Sequence, residues 1–222
     1  VANVAFQGAG GSTVIGGEED KSDQAASIGL SMIKELNAVS QSNVNLSFGA
    51  GSLLSVGEQN ANGDLYIGVL NRHTARAEGG GVSIGVASVG VIDANAHVGG
   101  TVNISFDGTI SYPKGLTLEV ANVGSASAKG AALTVGGIAG FGVSSNAVVN
   151  PTVNVFVNNN SVITTGGDFT LRTLSTANAT AVSTGIAGSY AASIGVALAN
   201  AEVAPTITTY VGENARINAA GN

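Results

Sequence analysis

The feature that most limits what this chain can fold into is that it repeats. Its last unit, Asp168 to Asn222, reads DFTLRTLSTANATAVSTGIAGSYAASIGVALANAEVAPTITTYVGENARINAAGN, and the same landmarks occur twice upstream. Asn95, Asn146 and Asn200 sit in A-N-A, S-N-A and A-N-A at separations of 51 and 54, and Gly100, Pro151 and Pro205 follow at the same separations. Val102, Ile104 and Phe106 correspond to Val153, Val155 and Val157 and to Ile207, Thr209 and Val211, with polar or aromatic residues between them. That is the period of a strand with one buried face. The opening of the unit repeats as well, Leu65, Ile67 and Val69 matching Leu116, Leu118 and Val120 and then Phe169, Leu171 and Thr173. Self-similarity at about 52 residues marks a stacked array, in which one unit cannot bury its apolar face without its neighbours.

The expected fold is therefore all-β, an elongated β-solenoid resembling a parallel β-helix. One continuous body divides into a partial repeat at 1–17, a helical insert at 18–42, a repeat end with an extended loop at 43–63, and repeats at 64–115, 116–167 and 168–222. Two coils of about 26 residues per unit fit the strand count as well as three shorter ones. The V-A-N-V start, repeated at Val120 to Val123, aligns residues 1–17 with Val120 to Gly137. It also puts residue 1 inside a repeat, so the expectation is a piece of a longer chain.

The insert is the one break in the pattern. From Glu18 to Ser40, apolar residues at Ala25, Ile28, Met32, Leu36 and Val39 follow three-and-four spacing, which predicts an amphipathic helix capped by Ser22 or Asp23. Gly29 works against it. The array resumes at Asn43, where N-V-N-L-S-F nearly repeats the T-V-N-I-S-F at Thr101.

Charged residues are only 10% of the chain against 44% hydrophobic, so Asn, Ser and Thr, or burial between neighbouring chains, must keep the surface wet. The net charge of -6, with Lys and Arg scattered, disfavours nucleic acid and anionic membrane. With no cysteine there is neither disulfide nor thiolate chemistry. Small-residue runs at GVSIGVASVGV (from 81), AALTVGGIAGFGV (from 131) and GIAGSYAASIGVALA (from 185) are too interrupted for membrane helices. They read as buried strands whose inward Gly and Ala let sheets approach closely.

No constellation for catalysis, cofactor or metal emerges, and the expectation is not an enzyme. His73 and His97 lack partners at ligand spacing and read as solvated or hydrogen-bonded residues. No G-x-S-x-G elbow or phosphate loop occurs. Asp64 with Arg72, and Asp168 with Arg172, recur because the unit recurs. Glu18, Glu19, Asp20 and Asp23 lack calcium-loop spacing and read as a solvated helix start, and the Gly166 to Phe169 turn stands singly. Ser105, Phe156 and Tyr210 share one position on the face opposite the apolar triplet.

The run A-N-A-x-V-x-P-T-I-T-x-Y-V-G, an acid or Asn, then A-x-I-N-A-x-G-N, from Ala199 to Asn222, resembles the repeats of giant bacterial surface and secreted β-strand-repeat proteins, the leukotoxin-type and filamentous-haemagglutinin-like exoproteins. Residues 18–40 depart from it. The resemblance implies an extracellular or cell-surface rod, secreted, used as a stalk, adhesin or filament. Its partners would be other copies or adjoining repeats joined head to tail, with host-cell or glycan surfaces as further candidates and no membrane insertion. It carries over no catalytic residues. A carbohydrate-binding or carbohydrate-cleaving β-helix is the alternative, and an ice-binding face is hinted at only by Thr206, Thr208 and Thr209.

Overall fold

The computed structural model describes residues 2–16, 30–56, 63–111 and 113–221. Among them every regular element is a strand: β1 (Ala2–Gly16), β2 (Leu30–Gln41), β3 (Val44–Ser55), β4 (Leu65–Gly99), β5 (Thr101–Ser111), β6 (Leu116–Val149), β7 (Thr152–Val157), β8 (Val162–Thr165), β9 (Phe169–Val203), β10 (Thr206–Val211) and β11 (Arg216–Ala219). All pairings are parallel and they form two sheets. In the first, β1 and β2 pair with β4, β4 with β6, and β6 with β9. In the second, β3 pairs with β5, β5 with both β7 and β8, and these with β10 and β11.

Each unit contributes one layer to both sheets. Leu65 pairs with Leu116 and Leu116 with Phe169, while Val102 pairs with Val153 and Val153 with Ile207. The hydrogen-bonded neighbour of a residue thus lies a whole unit away in sequence. A unit therefore makes a single layer of the two sheets. The Asn95, Asn146 and Asn200 equivalence read from the sequence is also the structural one.

Two expectations change. Residues 30–41 of the helical insert are the strand β2, paired from Leu30 with Ser88 to Gln41 with Gly99; residues 18–29 lie outside the described residues. The cause is a competing period of two. Leu36, Ala38 and Ser40 are buried and alternate with exposed Glu35, Asn37 and Val39. Val39, which helical spacing placed with the apolar stripe, is 51% exposed. Pairing along β4 supplies a full backbone ladder, and tertiary context of this kind overrides helical propensity.

The second change is the register of β1. Ala2 pairs with Leu65, so Val4 stands level with Ile67 and Leu118, five positions before the Val123 that V-A-N-V suggested. An odd shift exchanges the two faces of a strand. Ala2, Val4 and Phe6 thus stand level with Leu65, Ile67 and Val69, and not in the register that the tetrapeptide identity suggested.

A strand of 35 residues would span roughly 115 Å if straight. Instead β4 and β6 fold back on themselves, so that the middle of each strand shares a core with its far end while its start packs against the second sheet. The wide part holds Leu65, Ile67 and Val69 against Val102, Ile104 and Phe106, together with their counterparts in the next layer. The narrow part is built of alanine: the columns Ala75–Ala126–Ala179 and Ala77–Ala128–Ala181 face Ala94, Ala96 and Val98. These small inward side chains lie outside the runs from 81, 131 and 185, where the sequence placed the close approach of sheets. Beyond the narrow part the strands bend, at Val86 in β4 and Gly137 in β6. In β9 the two residues Tyr190 and Ala191 stand opposite Gly137, since Gly136 pairs with Ser189 and Ile138 with Ala192. The inward parity switches at this bend, from Ser83 to Ser88 in β4 and from Thr134 to Ala139 in β6.

Candidate interaction surfaces

Like residues stack on like along the layers, and amide side chains link them. Asn95 donates to Asn37 at 3.1 Å and Asn200 to Asn146 at 2.8 Å on the outer face. Asn154 donates to Asn103 at 2.7 Å on the second sheet. Inside, Ser42 donates to Asn71 and Asn71 to Asn122, each at 2.8 Å. The Asn–Asn rungs form because equivalent positions lie one strand spacing apart, about 4.8 Å. At one end of the stack β9, β10 and β11 each present an edge that no described strand pairs. Those edges carry rows of unpaired backbone groups, the usual template for adding a strand.

The small-residue runs are strands, but their large side chains are not buried as expected. In β4, Val82, Ile84, Val86 and Val89 point outward, with Val86 at 67% exposure; in β6, Leu133, Val135 and Ile138 do the same. The inward places go to Ser83, Ser88 and Thr134, each at 3% or less. Period two was visible in V-S-I-G-V, but alternation alone does not say which set faces in. The result is a charge-free aliphatic surface between Glu78 and Asp93 of β4 that continues onto β6.

Charges border this surface. Arg76 and Lys129 contact Glu78 at 2.7 and 3.2 Å, and together hold its carboxyl below the usual range, the Arg76 hydrogen bond being the largest cause. They line an open cleft of about 400 Å³ with Gly79, Gly130 and Val182. A second open cleft, of about 530 Å³, runs over the asparagine ladder beside Asp93. Arg172 stands 3.8 Å from Glu119, the residue it pairs with across the layers. Burial raises the Tyr66 hydroxyl pKa, and Glu119 raises it further.

His73 is buried and not solvated, with neither ring nitrogen partnered, and burial lowers its pKa. His97 shares a hydrogen bond of 2.7 Å with Asn150. Ser105, Phe156 and Tyr210 do form one column, the two rings stacking at 4.8 Å. Thr208 and Thr209 fall on opposite faces, Thr208 above Asn154 and Thr209 bonded to Thr173, while Thr206 lies over Thr152 and Thr152 over Thr101. The acidic group at 18–23 lies outside the described residues. Among the described residues no cluster of acids and histidines has metal-holding geometry, and no helix is long and apolar enough to cross a membrane. Comparison with protein-family models, curated proteins and solved structures gives no match.

Proposed function

We propose that the chain is a structural or adhesive segment of a large extracellular bacterial protein, a stiff β-solenoid rod that grows by stacking further layers on its end edges. The observation that carries this reading is the like-on-like register, with its asparagine ladders, running through every layer from β2 to β9. A column of this kind can be extended by any segment with the same unit, whether an adjoining repeat or another copy placed head to tail. The resemblance of Ala199 to Asn222 to exoprotein repeats points the same way, and with it come the bacterial surface and the secreted state. Electron microscopy of the purified chain tests the reading: rods or fibres with a layer spacing near 4.8 Å are expected, and compact globules would count against it.

The alternative, a carbohydrate-binding or carbohydrate-cleaving β-helix, draws on the outward Phe156–Tyr210 pair beside Asn154. The two rings contact one another at a tilt of 34°, and Tyr210, on the end strand, is 46% exposed. A glycan array together with a reducing-sugar assay separates the readings, and negatives in both remove this one.

A further inference from the structure

We infer that the outward aliphatic face formed by Val82, Ile84 and Val86 of β4 with Leu133, Val135 and Ile138 of β6 is a lateral contact between two copies of this chain. This contact is distinct from the end edges and does not depend on stacking there.

The first reason is the inversion of the strand. Between Gly79 and Val91 the chain sends serine and glycine inward and its branched side chains into water, while elsewhere the same strands bury their aliphatics. Exposing branched side chains while burying hydroxyls opposes folding, Ser88 Oγ being buried without a partner. A contiguous apolar face of this kind marks a contact surface.

The surface also has the composition of an interface centre. No charge interrupts it, and its border carries Arg76, Glu78 and Lys129 on one side and Asp93 on the other, an apolar middle with a polar rim. The two layers present on the order of 500 Å² of apolar surface, and Ile186 and Tyr190 of β9 extend this toward the roughly 800 Å² per partner of a stable pair.

Periodicity names the occupant. The ridges of this face recur at the strand spacing of about 4.8 Å, because Val82 lies over Leu133 and Leu133 over Ile186. Only a body with the same spacing can set ridges into every groove, and a second copy is that body. Sheets interlock through dry faces in the same way in stacked β structures. A lipid surface or an unrelated protein lacks this repeat.

The chain has no cysteine, which makes the test direct. In Val86→Cys, mild oxidation is expected to give a disulfide-linked dimer, whereas Asn154→Cys on the second sheet should give none. Head-to-tail stacking does not mimic the result, since it separates equivalent residues by the whole depth of the stack. In sedimentation velocity the unmodified chain should self-associate, and Ile84→Asp with Ile138→Asp should weaken that association more than about tenfold while leaving the β circular dichroism signal unchanged. Equal cross-linking of both cysteine variants, a monomer at all concentrations, or an aspartate variant that associates as before would overturn the inference. Flotation of the monomer with phosphatidylcholine vesicles would do so in favour of lipid.

Discussion

The imidazole of His73 occupies the room that residue 124 leaves by being glycine: a Cβ built at Gly124 would stand 3.3 Å from Nε2 of His73 and 3.0 Å from Val98 Cγ1. The two residues pair across adjacent layers. The ring therefore fits a buried slot with no hydrogen-bond partner from the protein, and burial favours its neutral form. A base whose folded pKa is lowered takes up its proton first in the unfolded chain. Stability should thus fall as pH drops below the ordinary 6.5 and level off below the folded pKa. Urea melts at pH 5 and pH 8 are expected to show the lower stability at pH 5. His73→Leu should reduce that difference, and an unchanged difference would show that another group carries it.

The buried amide pair gives a second prediction. Asn122→Ala removes the acceptor of Asn71 Nδ2 and leaves a buried donor unsatisfied, at a cost of about 1–3 kcal/mol. Asn146→Ala breaks an outer rung where water can replace the bond, and should cost less than about 1 kcal/mol. Chemical denaturation of the two variants tests the order.

Phe141 supplies a third. Its ring lies over Gly185 and Gly195 of β9, and a Cβ at either glycine would overlap it. Gly195→Ala should destabilise by about 1–3 kcal/mol through overpacking. Adding Phe141→Leu should recover part of the loss, with a coupling above about 0.5 kcal/mol in a double-mutant cycle. Additive effects would mean that the ring and the glycine do not meet.

The exposed ion cluster yields a fourth, smaller effect. Glu78→Gln removes the negative charge that Arg76 and Lys129 pair with, yet pairs this accessible contribute less than about 1 kcal/mol. The melting temperature should change little, and less still in high salt.

Much of this fold was legible because a repeat states its own pairing. The positions of Asn95, Asn146 and Asn200 in the sequence are those the sheets bring together, as are Ser105, Phe156 and Tyr210. What was not legible followed from patterns that fit two structures. Leu36 and Val39 satisfy helical spacing, whereas Leu36, Ala38 and Ser40 satisfy a strand, and only the presence of β4 decides between them. Val82 and Ile84 keep the parity that turns Leu65, Ile67 and Val69 inward and so face out, but their bulk suggests a core, and the parity reverses only beyond Val86, where Ser88 faces in. His73 gave no sign of burial because its slot is made by a glycine a whole unit away.

The central claim is that residues one unit apart become neighbours one strand spacing apart. Nitroxide labels on Asn95→Cys and Asn146→Cys test it most directly, in a chain with no other cysteine. The paired backbones should hold the labels near 5 Å and give a strongly dipolar-broadened electron paramagnetic resonance spectrum. A spectrum equal to the sum of the two singly labelled chains would contradict it.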